Sequence, residues 1–370
     1  MTRTSRVFSM LIAAALVASA CSGSSSDDTT TSSTSGETTA AASTTTATTR
    51  SPDTSEATTA PTTSAEDTST TIDPALISPI NGLLAESAEL LDRRVVAVKI
   101  DNHQRARPQS GLQEADAVIE LLVEGGFSRF IALFHDNESA YVGPVRSMRP
   151  TDSTLVAAFD GTLVVSGGQS WVRALAVDRG VPFFIETSYS LFRIGSRFAP
   201  HNLYGDTELM RQHSDELGFG DEFGNPLYEV AEWETIPGAP ATEITIDWAG
   251  GHVVTWRYEE GEYRRWEGSS EHRWVDIDGN SEQISADVLV ILVGTSYTAF
   301  GGGKSLPATE TTGSGQAHIF HDGRILSGTW ARASNDDSFT LTATDGTEMT
   351  VPPGYPWISV FPSNRRLNWS

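Results

Sequence analysis

The chain has 370 residues, enough for two domains of ordinary size, and its 25 basic against 48 acidic residues leave a net charge of −23. That balance excludes general nucleic-acid binding, which needs Lys and Arg to displace counterions from phosphates, and it excludes a polybasic hold on anionic lipid. A single cysteine excludes a disulfide framework and any zinc site built from several thiolates.

Arg3 and Arg6 form a short basic region ahead of an apolar run from Val7 to Val17. The run is shorter than the ~20 residues needed to span a bilayer, so it reads as a secretory signal. Ala18-Ser19-Ala20 leads into Cys21, which makes residues 1–21 a lipoprotein signal peptide in which Cys21 is lipidated and becomes the mature N-terminus. Ala18 stands where Leu is usual, and the alternative is a plain secretory signal cut just before Cys21. Residues 22–73 are mostly Ser, Thr and Ala with no aromatic residue and Arg50 as the one basic residue, a composition that predicts a disordered tether.

Beyond the tether, Val95–Ile100, Ala117–Leu122, Arg129–Phe134 and Thr162–Ser166 read as strands. Helices are expected over Thr151–Phe159 with Thr/Asp capping, over Ser170–Arg179 closed by Gly180, and over Asp206–Leu217 closed by Gly218. After residue 226 the pattern becomes short strands: Glu243–Asp247, Val253–Tyr258, Glu262–Trp266, Val288–Val293, Ala317–His321, Ile325–Arg332, Phe339–Thr342 and Trp357–Phe361. Asp278-Gly279, Asp322-Gly323 and Asp345-Gly346 are hairpin signals between them. The expected fold class is therefore α+β: an N-terminal mixed domain of α/β type over 79–222, followed by a mostly antiparallel β domain over 226–370.

Four loop clusters carry candidate chemistry. Asp101-Asn102-His103, with Arg105, Arg107 and Gln109 behind it, follows the first strand directly, and ligands of open α/β sheets gather at the carboxyl ends of strands. His103 suits a base or metal ligand oriented by Asp101; the competing reading is a polar turn punctuated by Pro108. Gly143-Pro144-Val145-Arg146-Ser147-Met148-Arg149 places two guanidiniums before a helix, where they suit a phosphate or carboxylate. Ion pairs with Asp152 or Glu124 are the structural alternative. Between Gly143 and Arg211 seven arginines meet six acids, so the acidity of the chain disappears there. Ser166-Gly167-Gly168-Gln169-Ser170 leads from a strand into a helix but matches neither a Walker loop nor a dinucleotide fingerprint. Pro200-His201-Asn202 adds an imidazole and an amide. No cofactor is required by these residues. A divalent metal on His103 and His201 would need a third ligand such as Asp101, Glu120 or Glu124.

Taken in order, Asp101-Asn102-His103, Arg107-Pro108-Gln109-Ser110-Gly111-Leu112, Glu124-Gly125-Gly126, Gly143-Pro144-Val145-Arg146-Ser147 and Pro200-His201-Asn202-Leu203-Tyr204 resemble the YerB-like bacterial lipoproteins. The likeness continues through Trp256-Arg257-Tyr258 with Tyr263-Arg264-Arg265, Thr312-Gly313-Ser314-Gly315, His321-Asp322-Gly323 and Gly328-Thr329-Trp330, so it spans about Pro79 to Pro362. It implies two domains of unknown function behind a lipid anchor, and no reaction. The leading expectation is a lipoprotein on the extracytoplasmic face of the cell membrane that binds an anionic envelope ligand, a phosphate-bearing glycan or lipid precursor. The binding residues would be Arg107, Arg129, Arg146, Arg149 and Asn202. An alternative is an envelope hydrolase or phosphotransferase using Asp101, His103 and His201, with or without a divalent metal. A third is a scaffold whose partners are other envelope proteins.

Overall fold

In the computed structural model, residues 73–186, 189–233 and 237–370 are described. The signal peptide, Cys21 and the tether up to residue 72 lie outside the described residues. Strand β1 (Val96–Asp101) alternates apolar side chains so that Ala97 joins one core and Val96, Val98 and Ile100 join another, and all six of its residues are buried. A strand buried on both faces reads as a mostly apolar run, here interrupted by Lys99, which is why this stretch was legible. β2 (Ala117–Leu122) and β3 (Ser128–Phe134) are buried throughout in the same way.

β3 lies between β1 and β2, antiparallel to both. β4 (Thr162–Val164) runs parallel to β1, and β5 (Phe183–Phe184) runs parallel to β4. On the other side, β2 is parallel to Pro356–Pro362, which is parallel to Val288–Gly294. The antiparallel strands Gly313–His321, Arg324–Arg332 and Thr340–Ala343 then extend the path, so early and late strands share one eleven-stranded sheet. The described residues all fall within one compact unit of the chain.

Both faces of that sheet are covered. α1 (Asp152–Val156) and α2 (Ser170–Asp178) contribute Leu155, Val156, Val172 and Ala176 to the core that holds Ala97, Ile119, Val290 and Ile358. Against the opposite face packs an antiparallel sheet in the order Ser270–Glu271, Glu262–Glu267, His252–Glu259, Glu243–Ala249, Arg366–Trp369. Its Trp248, Trp256 and Tyr263 meet Val98, Val118, Phe130 and Trp357.

Strand therefore dominates the chain, and the α/β description of the first segment fits only loosely. Only β1, β4 and β5 are parallel neighbours there, and the described α-helices are confined to α1, α2 and α3 (Thr207–Glu216). The expected side-chain cap of α1 is also corrected: Thr151 makes no capping bond, and its Oγ1 instead accepts from the Thr309 amide at 3.1 Å. Asp206 does cap α3, accepting from the Leu209 amide at 3.1 Å. Asp322-Gly323 closes its hairpin with φ of 48° and 69°, the left-handed pair that an Asp-Gly turn favours. The sequence reading missed β6 (Leu191–Arg193), β7 (Leu203–Gly205), the Ser296–Gly301/Lys304–Thr309 hairpin and the last strand, Arg366–Trp369.

Candidate functional site

Because β1 and β4 are parallel, their carboxyl ends open on the same edge of the sheet. Residues 144–148 are threaded along that edge by backbone bonds. The Asp101 amide donates to the Pro144 carbonyl at 2.9 Å and the Arg146 amide to the Lys99 carbonyl at 2.7 Å. The Ser166 amide donates to the Arg146 carbonyl at 3.0 Å, and the Met148 amide to the Gly167 carbonyl at 2.9 Å. The Val145 amide reaches the Leu203 carbonyl at 2.6 Å, which draws in β7 and the His201 turn before it. Three of the four sequence clusters, with Ser166-Gly167 from the remaining one, therefore meet at one place.

Asp101 is its centre. Its carboxylate is buried; Oδ2 lies 2.6 Å from His201 Nδ1 and 3.1 Å from Arg146 Nε, and Oδ1 lies 3.8 Å from Arg129 Nε. Oδ1 also accepts from the His103 amide at 3.2 Å. The His103 ring stacks on His201 with centroids 4.9 Å apart and planes 19° apart. Burial, then the neighbouring His201, pushes His103 below the ordinary histidine range. Arg146 keeps its side chain 20 % exposed, and among the described residues its two terminal amino groups have no acceptor.

Beside this core the cations crowd one another. Arg149 pairs with Glu124, its Nε 2.6 Å from Oε2, and Arg129 Nη2 lies 3.7 Å from Glu124 Oε1. Burial alone would raise the Glu124 carboxyl, but the hydrogen bond and charge of Arg149, with Arg129 behind, hold it at about 2. Burial and the charge of Arg149 bring Arg129 down to about 10. Three guanidiniums, Arg129, Arg146 and Arg149, thus face two carboxylates, Asp101 and Glu124. The surplus is positive, in a chain whose net charge is −23.

Not every expected residue joins this group. Asn202 turns away: its Oδ1 accepts from Arg193 Nη1 at 2.7 Å, on the exposed side of the β6–β7 pair. Arg107 belongs to a second, buried network. Its Nε donates to Asn102 Oδ1 at 3.0 Å, and its Nη2 lies 3.0 Å from Glu267 Oε1. Gln109 Nε2 donates to the same Asn102 oxygen at 3.1 Å, while its Oε1 lies 2.8 Å from His272 Nε2. Arg265, fully buried, bonds Glu120 Oε1 and Glu267 Oε1 at 2.7 Å each. Trp357 Nε1 donates to Glu120 Oε2 at 2.8 Å. Burial would raise the Glu267 carboxyl, yet the Arg265 charge and the His252 hydrogen bond hold it well below the usual carboxylate range. Burial and the Arg265 charge push His272 well below the histidine range.

These partners bear on two of the three expected third ligands, Glu120 and Glu124, while Asp101 lies beside His201. Glu120 is committed to Arg265, Ser128 and Trp357, and Glu124 to Arg149 and Arg129, so neither completes a ligand set with His103 and His201. Among the described residues, no group of three or more His, Cys, Asp or Glu side chains is placed to hold a metal ion. Sequence reasoning missed Arg265, Glu267, His252 and His272. They lie 120 or more residues from the Asp101 cluster, His252, Arg265 and Glu267 in strands whose alternation reads as ordinary sheet and His272 just beyond one, and no local spacing announces them.

Two family models match the chain: the N-terminal domain of a protein of unknown function (DUF3048) over residues 80–220, and the C-terminal domain of the same family over 244–358. YerB of Bacillus subtilis (strain 168), a protein named as a candidate lipoprotein, is 28 % identical over 299 residues, 78 % of this chain and 86 % of that protein. The crystal structure of Bacillus subtilis YerB superimposes with a TM-score of 0.67 at 24 % identity, covering 79 % of this chain and 99 % of that one, a likeness of fold.

Proposed function

Because this chain belongs to the YerB-like family with paired DUF3048 domains, we propose that it is a membrane-anchored envelope lipoprotein that binds an anionic ligand at the Asp101–Arg146 edge. The observation that carries the site is Arg146, whose terminal donors are unclaimed while Arg129 and Arg149 crowd beside it. An anion there gains charge-assisted hydrogen bonds and relieves the mutual repulsion of the guanidiniums. A phosphate-bearing glycan or lipid precursor of the extracytoplasmic surface has the right charge. Titration of the purified full-length protein in detergent with pyrophosphate tests this. Arg146→Ala removes a bond to a charged group worth about 1.5–3 kcal/mol, so affinity should fall roughly 10- to 100-fold. Unchanged affinity in the variant, or no binding by the wild type, refutes the site.

The anchor rests on the apolar run before Cys21 and on the name of the Bacillus relative. Cys21→Ser should move the protein from the membrane fraction to the soluble fraction; retention in the membrane would contradict lipidation. One observation favours a second reading. A buried carboxylate 2.6 Å from an imidazole is the arrangement that orients a general acid–base histidine, so a hydrolase or phosphotransferase acting on the same anion fits Asp101, His201 and His103.

A further inference from the structure

A cleft of about 330 Å³ opens beside this edge, between Gln104, Arg107 and the Gly125–Phe127 loop on one side and Ala249–Val253 with Glu267 on the other. Its size is at the lower end of small-ligand pockets, which run ~300–1,000 Å³. Aromatic rings connect it to the anion site: His201 to His103 at 4.9 Å, His103 to Phe127 at 5.2 Å, Phe127 to His252 at 6.2 Å. A ligand that covers His103 therefore touches both places.

We propose that the cleft receives the sugar ring of a glycosyl phosphate whose phosphate lies at Arg146, an inference that rests on the anion-site reading above. Three features select a sugar. First, half-buried Phe127 offers a flat apolar face suited to the C–H face of a pyranose. Second, Gly125, Gly126, Gly250 and Gly251 line the cleft without side chains and leave backbone donors and acceptors within reach of hydroxyls. The two loops already approach closely there, since a Cβ on Gly126 would lie 3.2 Å from the Ala249 carbonyl oxygen. Third, His252 is 9 % exposed and its Nε2 lies 2.9 Å from Glu267 Oε2, while its buried Nδ1 has no partner among the described residues. A hydroxyl, donor and acceptor at once, satisfies such an atom in either protonation state. A bare phosphate fills none of these positions, and glycerol phosphate, though it carries hydroxyls, lacks the ring face that would lie against Phe127.

The test compares glucose 1-phosphate, glycerol 3-phosphate and orthophosphate by calorimetric titration of the purified full-length protein. The wild type should bind the sugar phosphate at least tenfold more tightly than glycerol phosphate. Phe127→Ala and His252→Ala should each reduce that preference to about twofold or less while leaving orthophosphate affinity unchanged. Phe127→Leu, which keeps the apolar bulk and removes the ring face, guards against a folding defect and should lose the preference too. Equal wild-type affinity for the sugar and glycerol phosphates, or a preference that survives all three substitutions, overturns the sugar cleft and leaves the anion site standing. Absence of binding by every phosphate overturns both readings together.

Discussion

Arg265→Met is expected to destabilise the fold by about 3–5 kcal/mol, the cost of leaving buried charge without its partner. Arg265 has no solvent exposure, and its guanidinium joins Glu120, from a strand of the first segment, to Glu267, from the second sheet. It is also packed among Phe130, Trp256 and Trp357, with centroids 5.3–5.7 Å away, so water cannot replace the lost bonds. Methionine restores much of the volume and none of the charge, which leaves buried Glu120 without its cation while Glu267 keeps Arg107. In thermal unfolding the loss should appear as a drop on the order of 10 °C. Adding Glu120→Gln to Arg265→Met should recover part of it, since one stranded charge disappears. A loss below about 1 kcal/mol would mean that this network does not hold the second sheet to the Asp101 loop.

Asp101→Asn should raise the affinity for pyrophosphate about tenfold or more. At an effective dielectric constant of ~20, a carboxylate ~5 Å from a bound anion repels it by about 3 kcal/mol before screening. Asn keeps an oxygen for the His103 amide while freeing Arg129 and Arg146 from their internal counter-ion. The unliganded variant should melt lower, because two cations lose a buried partner, and its ligand-induced stabilisation should be larger. A fall in affinity would show that Asp101 builds the site by positioning Arg146 and His201 rather than competing with the ligand. The same substitution separates binding from catalysis. A hydrolase that depends on the Asp101–His201 pair would bind its substrate and lose turnover.

Much of this arrangement was legible in the sequence because its strands are buried on both faces. Val95–Ile100, β-branched and broken only by Lys99, and Val288–Val293, wholly apolar, could be little but strands. Asp101, His103, Arg146 and His201 stood out as polar residues placed directly after strands or around Pro and Gly, and the fold brings them together. Asn202 did not follow, since adjacency to His201 in the turn before β7 says nothing about which way an amide points. Arg107 was expected among the anion-binding residues, but its partner Glu267 is 160 residues away. Long-range pairing of this kind leaves no local period. The sheet that joins early to late strands was hidden for the same reason: β2 and Pro356–Pro362 are each plausible strands, and nothing within either names the other as its parallel neighbour.

The central claim is that the loops after β1 and β4, with the turn before β7, form one anion site. The most direct test is a crystal of the protein soaked in tungstate, a phosphate-like anion located by its anomalous scattering. An anomalous peak within hydrogen-bonding distance of the Arg146 terminal amino groups and adjacent to Arg129 and His201, absent in Arg146→Ala crystals, is the predicted result. Tungstate bound elsewhere with this edge empty, or a peak unchanged by Arg146→Ala, would contradict it.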